Sequence, residues 1–191
     1  MSLASQSEGS PGVTATPAGR LLIIFGNQLF PVERLDRFRD VPVFMAEDTG
    51  LCTYVRHHRQ KLALFLSAMR SYRDDLLERG FGVHYHELGD AAELCYEDKL
   101  LGTCRATGCG ELLHFEIEDK FMEERFARFA RRNALRQTVL PSPMFLCDRG
   151  AFADYVRRAA NVRMADFYRE MEEKGELPKG FLAAVEAARV H

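Results

Sequence analysis

The chain has 191 residues, 47% of them apolar and 28% charged, with a formal charge of −2 at pH 7. Length and composition fit one globular domain with a substantial core. The small negative charge excludes a global attraction to phosphate backbones, so nucleic-acid binding would need a local basic patch, and no apolar run reaches the length of a membrane span.

Met1 to Arg20 is rich in Ser, Gly, Pro, Ala and Thr. It has neither the charged start nor the apolar middle of a signal peptide and reads as a disordered tail over residues 1–20. The five cysteines then read as reduced thiols, and the expected compartment is cytoplasmic. Leu21-Leu-Ile-Ile-Phe25, closed by Gly26, has the continuous apolar pattern of a strand buried on both faces. A short helix is expected over Val32 to Asp40, then a second strand over Val41-Pro-Val-Phe-Met-Ala46 that ends on Glu47. From about His58 to Arg79, apolar side chains at Leu62, Phe65, Leu66, Met69, Tyr72, Leu76 and Leu77 form a helical stripe, with Gly80 just past its end. Val83 to Leu88 alternates as a half-buried strand, Leu112 to Ile117 forms a fourth, and Gln137 to Leu140 a fifth. The segment carrying Cys95, Cys104 and Cys109 reads as irregular, because Gly102, Gly108 and Gly110 interrupt it. Helices are expected over Asp119 to Asn133, Gly150 to Ala160 and Met164 to Lys174, and Ala183 to His191 fades into an alanine-rich tail.

Strands alternating with helices predict an α/β domain over residues 21–160. It would be a Rossmann-like parallel sheet of about five strands with helices on both faces, followed by a helical extension over 161–191. Right-handed crossovers place ligand-facing loops at the carboxyl ends of the strands. Gly26-Asn27-Gln28, Glu47-Asp48 and Glu116-Ile117-Glu118 fall on that edge. The first is not a dinucleotide fingerprint, since the second and third glycines are missing, and no Walker loop exists. Gly26 serves either a bare turn or a ligand edge, on which neutral Asn27 and Gln28 amides suit a flat uncharged ring better than a pyrophosphate.

Arg56, His57, His58, Arg59 and Lys61 open the long helix, where positive charge opposes the macrodipole; they are a solvated basic turn or a group placed to meet an anion. Adjacent His57 and His58 would point about 100° apart on a helix, which argues against a metal pair. The three clustered cysteines lack a fourth ligand and tight pairing, so no metal site is expected; Cys52 and Cys147 read as small buried side chains and His114 as a strand histidine. Glu116, Glu118, Asp119, Glu123 and Glu124 crowd a helix start, where acids are stabilising. No catalytic residue is assigned, because no nucleophile has a partner.

The run Thr53-Tyr-Val-Arg-His-His58, with Leu66-Ser-Ala-Met-Arg70, Gly26-Asn-Gln-Leu29, Phe145-Leu-Cys147 and Met164 to Met171, resembles the amino-terminal domain of the photolyase-related branch of the cryptochrome/photolyase family. The resemblance implies an antenna-type α/β domain, with a ribityl-lumazine as antenna, within a light-dependent DNA-repair or blue-light photoreceptor system. With the strand-edge geometry it singles out Gly26, Asn27, Gln28, Glu47, Tyr54 and His57 as cofactor-binding candidates. FAD and an iron–sulfur cluster would belong to the helical domain that complete members add, before which this chain stops. The expectation is a module without repair activity or direct DNA binding of its own. Two positions depart from the family: Asn27 replaces the usual Asp, and Leu51 stands where an acid is common. The second removes an acceptor for ribityl hydroxyls or a ring N–H, at about 1 kcal/mol per lost hydrogen bond. Two further readings stand beside this one. The chain could be a partner subunit or fragment of a deoxyribodipyrimidine photolyase that docks on a separately encoded flavin domain, or a non-photochemical nucleotide-binding α/β protein.

Overall fold

Short apolar runs and longer amphipathic stretches alternate in a computed structural model of the protein, which describes residues 19–53, 55–89 and 93–188. The strands are β1 (Gly19–Ile23), β2 (Val43–Ala46), β3 (Val83–His86), β4 (Cys109–Phe115) and β5 (Arg136–Leu140). They form one parallel sheet in the order β3-β2-β1-β4-β5. Leu22 pairs with Val43 and Ile23 with Phe44, while Val43 to Ala46 pairs in step with Val83 to His86. All four residues of β2 are buried, as its unbroken apolar run requires.

A 3-10 helix (Val32–Phe38) follows β1; α1 (Thr49–Thr53) and α2 (Arg59–Glu78) follow β2. Then come α3 (Tyr96–Thr107), α4 (Lys120–Arg132), α5 (Arg149–Arg158), α6 (Met164–Glu173) and α7 (Phe181–Ala188). The strand order reverses at β1, so right-handed crossovers put α2 on one face and α3 on the other. No helix among the described residues is long and apolar enough to cross a membrane.

Several boundaries differ from expectation for identifiable reasons. Gly19 and Arg20 belong to β1, since Gly19 N–H donates to the Gly108 carbonyl at 3.1 Å; residues 1–18 of the expected tail lie outside the described residues. The cysteine-bearing segment is mostly the regular helix α3. Tyr96, Leu100 and Cys104 recur at helical spacing and are buried, and Glu97 and Asp98 suit its first turn. Gly102 sits exposed within it, and Gly108 closes it at φ 66°. The expected alanine-rich tail begins as α7.

In α2, Met69, Tyr72 and Leu76 are buried, whereas Phe65 and Leu77 are exposed. Twenty residues span roughly 30 Å, about twice the length of a four-residue strand. The first half of α2 therefore outruns the sheet.

The described residues fall into two compact units, 19–113 with 124–138, and 114–123 with 139–188. In the first, Tyr96 packs against Phe25 and Phe44 with ring centroids 5.8 and 5.6 Å apart, and Phe126 meets Phe25 at 5.4 Å. The second has its own core of Tyr155, Phe167, Met171 and Leu177.

Candidate functional site

A strand buried on both faces delivers whatever follows it into the interior, and after β2 that residue is an acid. The Glu47 side chain is 0% exposed. Its Oε1 accepts from Arg70 Nε at 2.7 Å and from the Tyr85 hydroxyl at 2.7 Å. Its Oε2 accepts from Arg70 Nη2 at 2.9 Å and from the Leu88 N–H at 2.7 Å. Burial pushes the Glu47 pKa up, but these donors more than offset it and hold the carboxyl below its ordinary value. Lys99, buried in α3, donates to the Glu47 backbone carbonyl at 3.1 Å. Arg73, three residues beyond Arg70, lies 4.9 Å over the Tyr85 ring and bonds Glu87 at 2.9 Å.

Glu47 thus ties β2 to α2, α3 and the end of β3. A carboxylate offers about four acceptor positions, and protein donors occupy them. Glu47 is therefore an anchor that orients Arg70, with no acceptor left over for a ligand.

Gly26 has an equally specific reason. A Cβ there would come within 2.7 Å of both Met69 Sδ and Phe65 Cζ. The glycine lets α2 lie close over the tip of β1, where Phe65 remains 40% exposed. Of its neighbours, Asn27 is exposed and Gln28 is fully buried.

The basic run lies mostly before α2 instead of within it. His58 is the N-cap: its Nδ1 accepts from the Gln60 N–H at 3.3 Å, which requires a lone pair on that nitrogen. Only Arg59 and Lys61 then meet the helix dipole. Arg56, His57, His58, Arg59 and Gln60 line an open surface depression of about 640 Å³. Tyr54 lies outside the described residues. A depression of about 490 Å³ in the second unit mixes Asp148, Asp154 and Glu176 with Arg158 and Lys174, and presents no converging chemistry.

The acidic cluster is structural. Glu116 and Glu118 accept from the Ser142 N–H and hydroxyl, Asp119 accepts from the Met122 N–H, and Glu123 pairs with Arg149. Cys52 and Cys147 are half-buried instead of buried, each on a segment near solvent. His114 is the buried strand histidine expected of it, and burial pushes its pKa down.

Sequence reasoning missed Arg70, Tyr85 and Lys99 as parts of this network. The available signal was Glu47 itself, since an acid ending a fully buried strand requires donors from elsewhere.

The Tyr96 hydroxyl is buried and has no hydrogen-bond partner among the described residues. Tyr96→Phe is therefore expected to keep or raise stability, by up to about 1 kcal/mol, in a chemical-denaturation curve. A loss of more than about 1 kcal/mol would reveal a partner for the hydroxyl.

Residues 22–177 match the family described as deoxyribodipyrimidine photo-lyase-related protein. Among curated relatives, a "(6-4) photolyase" from Agrobacterium fabrum (strain C58 / ATCC 33970) is 25% identical over 172 residues. That alignment covers 84% of this chain and 34% of the relative, so the chain spans about a third of the relative's length.

Proposed function

The chain belongs to the deoxyribodipyrimidine photo-lyase-related protein family, and from that premise we propose that it is the antenna-bearing α/β module of a light-dependent DNA-repair or blue-light-sensing system. The observation that carries the cofactor part is the open depression before α2, which His57 lines together with Arg56. The group would be a ribityl-lumazine, which when bound absorbs light. His57 and Asn27 would hold it through imidazole and amide groups suited to a heterocycle and its hydroxyls, with Tyr54 in the same sequence run; Gln28 is fully buried and takes no part in this reading. Gly26 and Glu47 have structural parts: the first admits Phe65 to the strand tip, and the second fixes Arg70. FAD, an iron–sulfur cluster and contacts to damaged DNA would belong to a companion flavin domain, in keeping with the net charge of −2 on this chain.

Titration of the purified chain with a ribityl-lumazine, followed by ligand fluorescence, tests the reading. Binding with a Kd near 10 μM, about −7 kcal/mol, is expected, and His57→Ala should weaken it roughly tenfold through one lost hydrogen bond. No binding at roughly a hundred times that concentration would overturn it. A thermal shift with ATP alone would favour the nucleotide-binding alternative.

A partner role has its own support in the second unit. Phe145, Leu146, Val162 and Met164 are exposed there, and exposed apolar groups of this size mark interaction surfaces when they are contiguous. The inward-facing residues of α6 are Phe167 and Met171, so the docking face would be built from Met164 and the 144–146 run. Pull-down with a separately encoded flavin domain tests this; a monomer indifferent to that partner would refute it.

A further inference from the structure

Basic side chains collect where the helices of the first unit return to the amino ends of the strands, and the antenna reading makes no use of them. Arg105 stands in the last turn of α3, Arg131 and Arg132 in the last turn of α4, and Arg136 opens β5; all four are exposed. A tight turn holds three of them together. Ala134 takes the left-handed conformation at φ 53°, the Leu135 N–H donates to the Ala130 carbonyl at 2.9 Å, and the Ala134 N–H donates to the Arg131 carbonyl at 3.3 Å. Helix α3 runs beside α4, since Arg125 of α4 bonds both carboxylate oxygens of Glu97 in α3. Eight residues on from those partners lie Arg105 and Asn133, so the two helices end level. The four guanidinium groups share one rim.

A positive last turn complements the helix dipole, which accounts for part of this charge but not for all of it. The cap already satisfies two of the last carbonyls of α4, and Arg136 begins a strand, where no helix dipole favours it. None of the four has an ion pair or a side-chain hydrogen bond among the described residues. In the second unit, by contrast, every described arginine is paired: Arg149 with Glu123, Arg157 with Asp154, Arg158 with Glu170, and Arg163 and Arg169 with Asp166. Glu111, on the strand next to β5, accepts from the Thr138 hydroxyl at 2.7 Å. Glu97 and Glu124 are taken by Arg125 and Arg128. They stand about 12 Å back along their helices, past the roughly 10 Å over which charges act in 0.1 M salt.

We propose that this rim binds the phosphate backbone of a nucleic-acid duplex, without regard to base sequence or damage. A guanidinium group forks two phosphate oxygens, and contacts of this kind supply non-specific affinity from charge alone. No large apolar or aromatic side chain is exposed over residues 103–111 or 124–138. The rim therefore lacks the anchor a protein interface needs, the wedge a lipid surface takes up, and the ring on which a single strand stacks its bases. The net charge of −2 averages over this segregation of acids and bases, so the rim departs from the expectation that the chain makes no direct contact with DNA. The antenna candidates lie at the carboxyl ends of the strands, and either proposal can fail without the other.

The test is fluorescence anisotropy of a labelled, undamaged DNA duplex of mixed sequence, titrated with the full chain. A Kd on the order of 10 μM at about 50 mM salt is expected, weakening roughly 40- to 150-fold by about 200 mM, as three or four phosphate contacts require. Arg131→Gln combined with Arg136→Gln should weaken binding roughly a hundredfold and cut the slope of log K against log salt by about two. The urea midpoint and the ribityl-lumazine titration of that variant should match wild type. Arg105→Gln, on a separate helix, should weaken binding roughly tenfold and supplies the second variant should the double one fail to fold. Arg157→Gln, in the second unit, should bind as wild type does. No anisotropy change with about 1 mM protein at about 50 mM salt, binding indifferent to salt, or wild-type affinity in the rim variants would each overturn the proposal. So would tighter binding to a polyglutamate peptide, a single strand or phosphatidylserine vesicles than to the duplex.

Discussion

Glu47→Ala is expected to lower the free energy of unfolding by about 3 kcal/mol, near the lower end of what breaking a buried ion pair costs. The substitution removes the acceptor for Arg70 Nε and Nη2, the Tyr85 hydroxyl and the Leu88 N–H at once. The loss falls short of the upper range because Arg70 is 43% exposed and can rehydrate. Glu47→Gln keeps the shape while losing the charge, and roughly half that cost is expected, since hydrogen bonds to charged groups are about twice as strong as neutral ones. The acid dependence follows from the depressed pKa of Glu47. Its contribution is fully present above the unfolded-state value of about 4.3 and is lost as pH falls through the lower folded value. Wild-type stability should therefore drop on acidification below about pH 4 more steeply than that of Glu47→Gln. Urea unfolding at neutral and acid pH measures both effects. A Glu47→Ala midpoint matching wild type, or parallel acid profiles for wild type and Glu47→Gln, would contradict the anchor role.

The central strands β1 and β2 were legible because each is a buried run of apolar residues that needs no partner to identify it. Leu21 to Phe25 and Val43 to Ala46 are such runs, and their burial is complete or nearly so. Helix α3 was obscured by its glycines, although the Tyr96, Leu100 and Cys104 spacing carried the helical period. The site was only half legible. Gly26, Asn27 and Glu47 fall at strand tips, and strand ends can be read locally. What each does there is non-local: Arg70 lies 23 residues from Glu47, and Tyr85 lies 38. The space over Gly26 is filled by Phe65 and Met69, 39 and 43 positions along the chain. No window of sequence holds both halves of these contacts; they exist only once α2 lies over the sheet. Local reading consequently made Glu47 a ligand group, whereas its acceptors are taken up inside the protein.

Phe167→Ala should cost about 3–5 kcal/mol, the range for truncating a buried aromatic ring. The second unit gathers its core around this side chain, which meets Phe152 at 5.1 Å, Tyr155 at 5.4 Å and Tyr168 at 5.6 Å between ring centroids. A core this small has few apolar neighbours able to move in and fill the gap, so collapse of the cavity offsets little of the loss. Tyr155→Phe provides the comparison. The Tyr155 hydroxyl donates to the Arg163 carbonyl at 2.9 Å and accepts from the Arg163 N–H at 3.1 Å, clasping the turn that leads into α6. Removing it deletes two neutral hydrogen bonds but opens no cavity, and roughly 1–2 kcal/mol is expected. Amide hydrogen exchange over α5 and α6 reads both variants at the place they act. Protection should fall far more in Phe167→Ala than in Tyr155→Phe. Equal losses would mean that the hydroxyl clasp, and not ring packing, holds the unit together, and unchanged protection in Phe167→Ala would mean that these helices are stabilised by something other than the aromatic cluster.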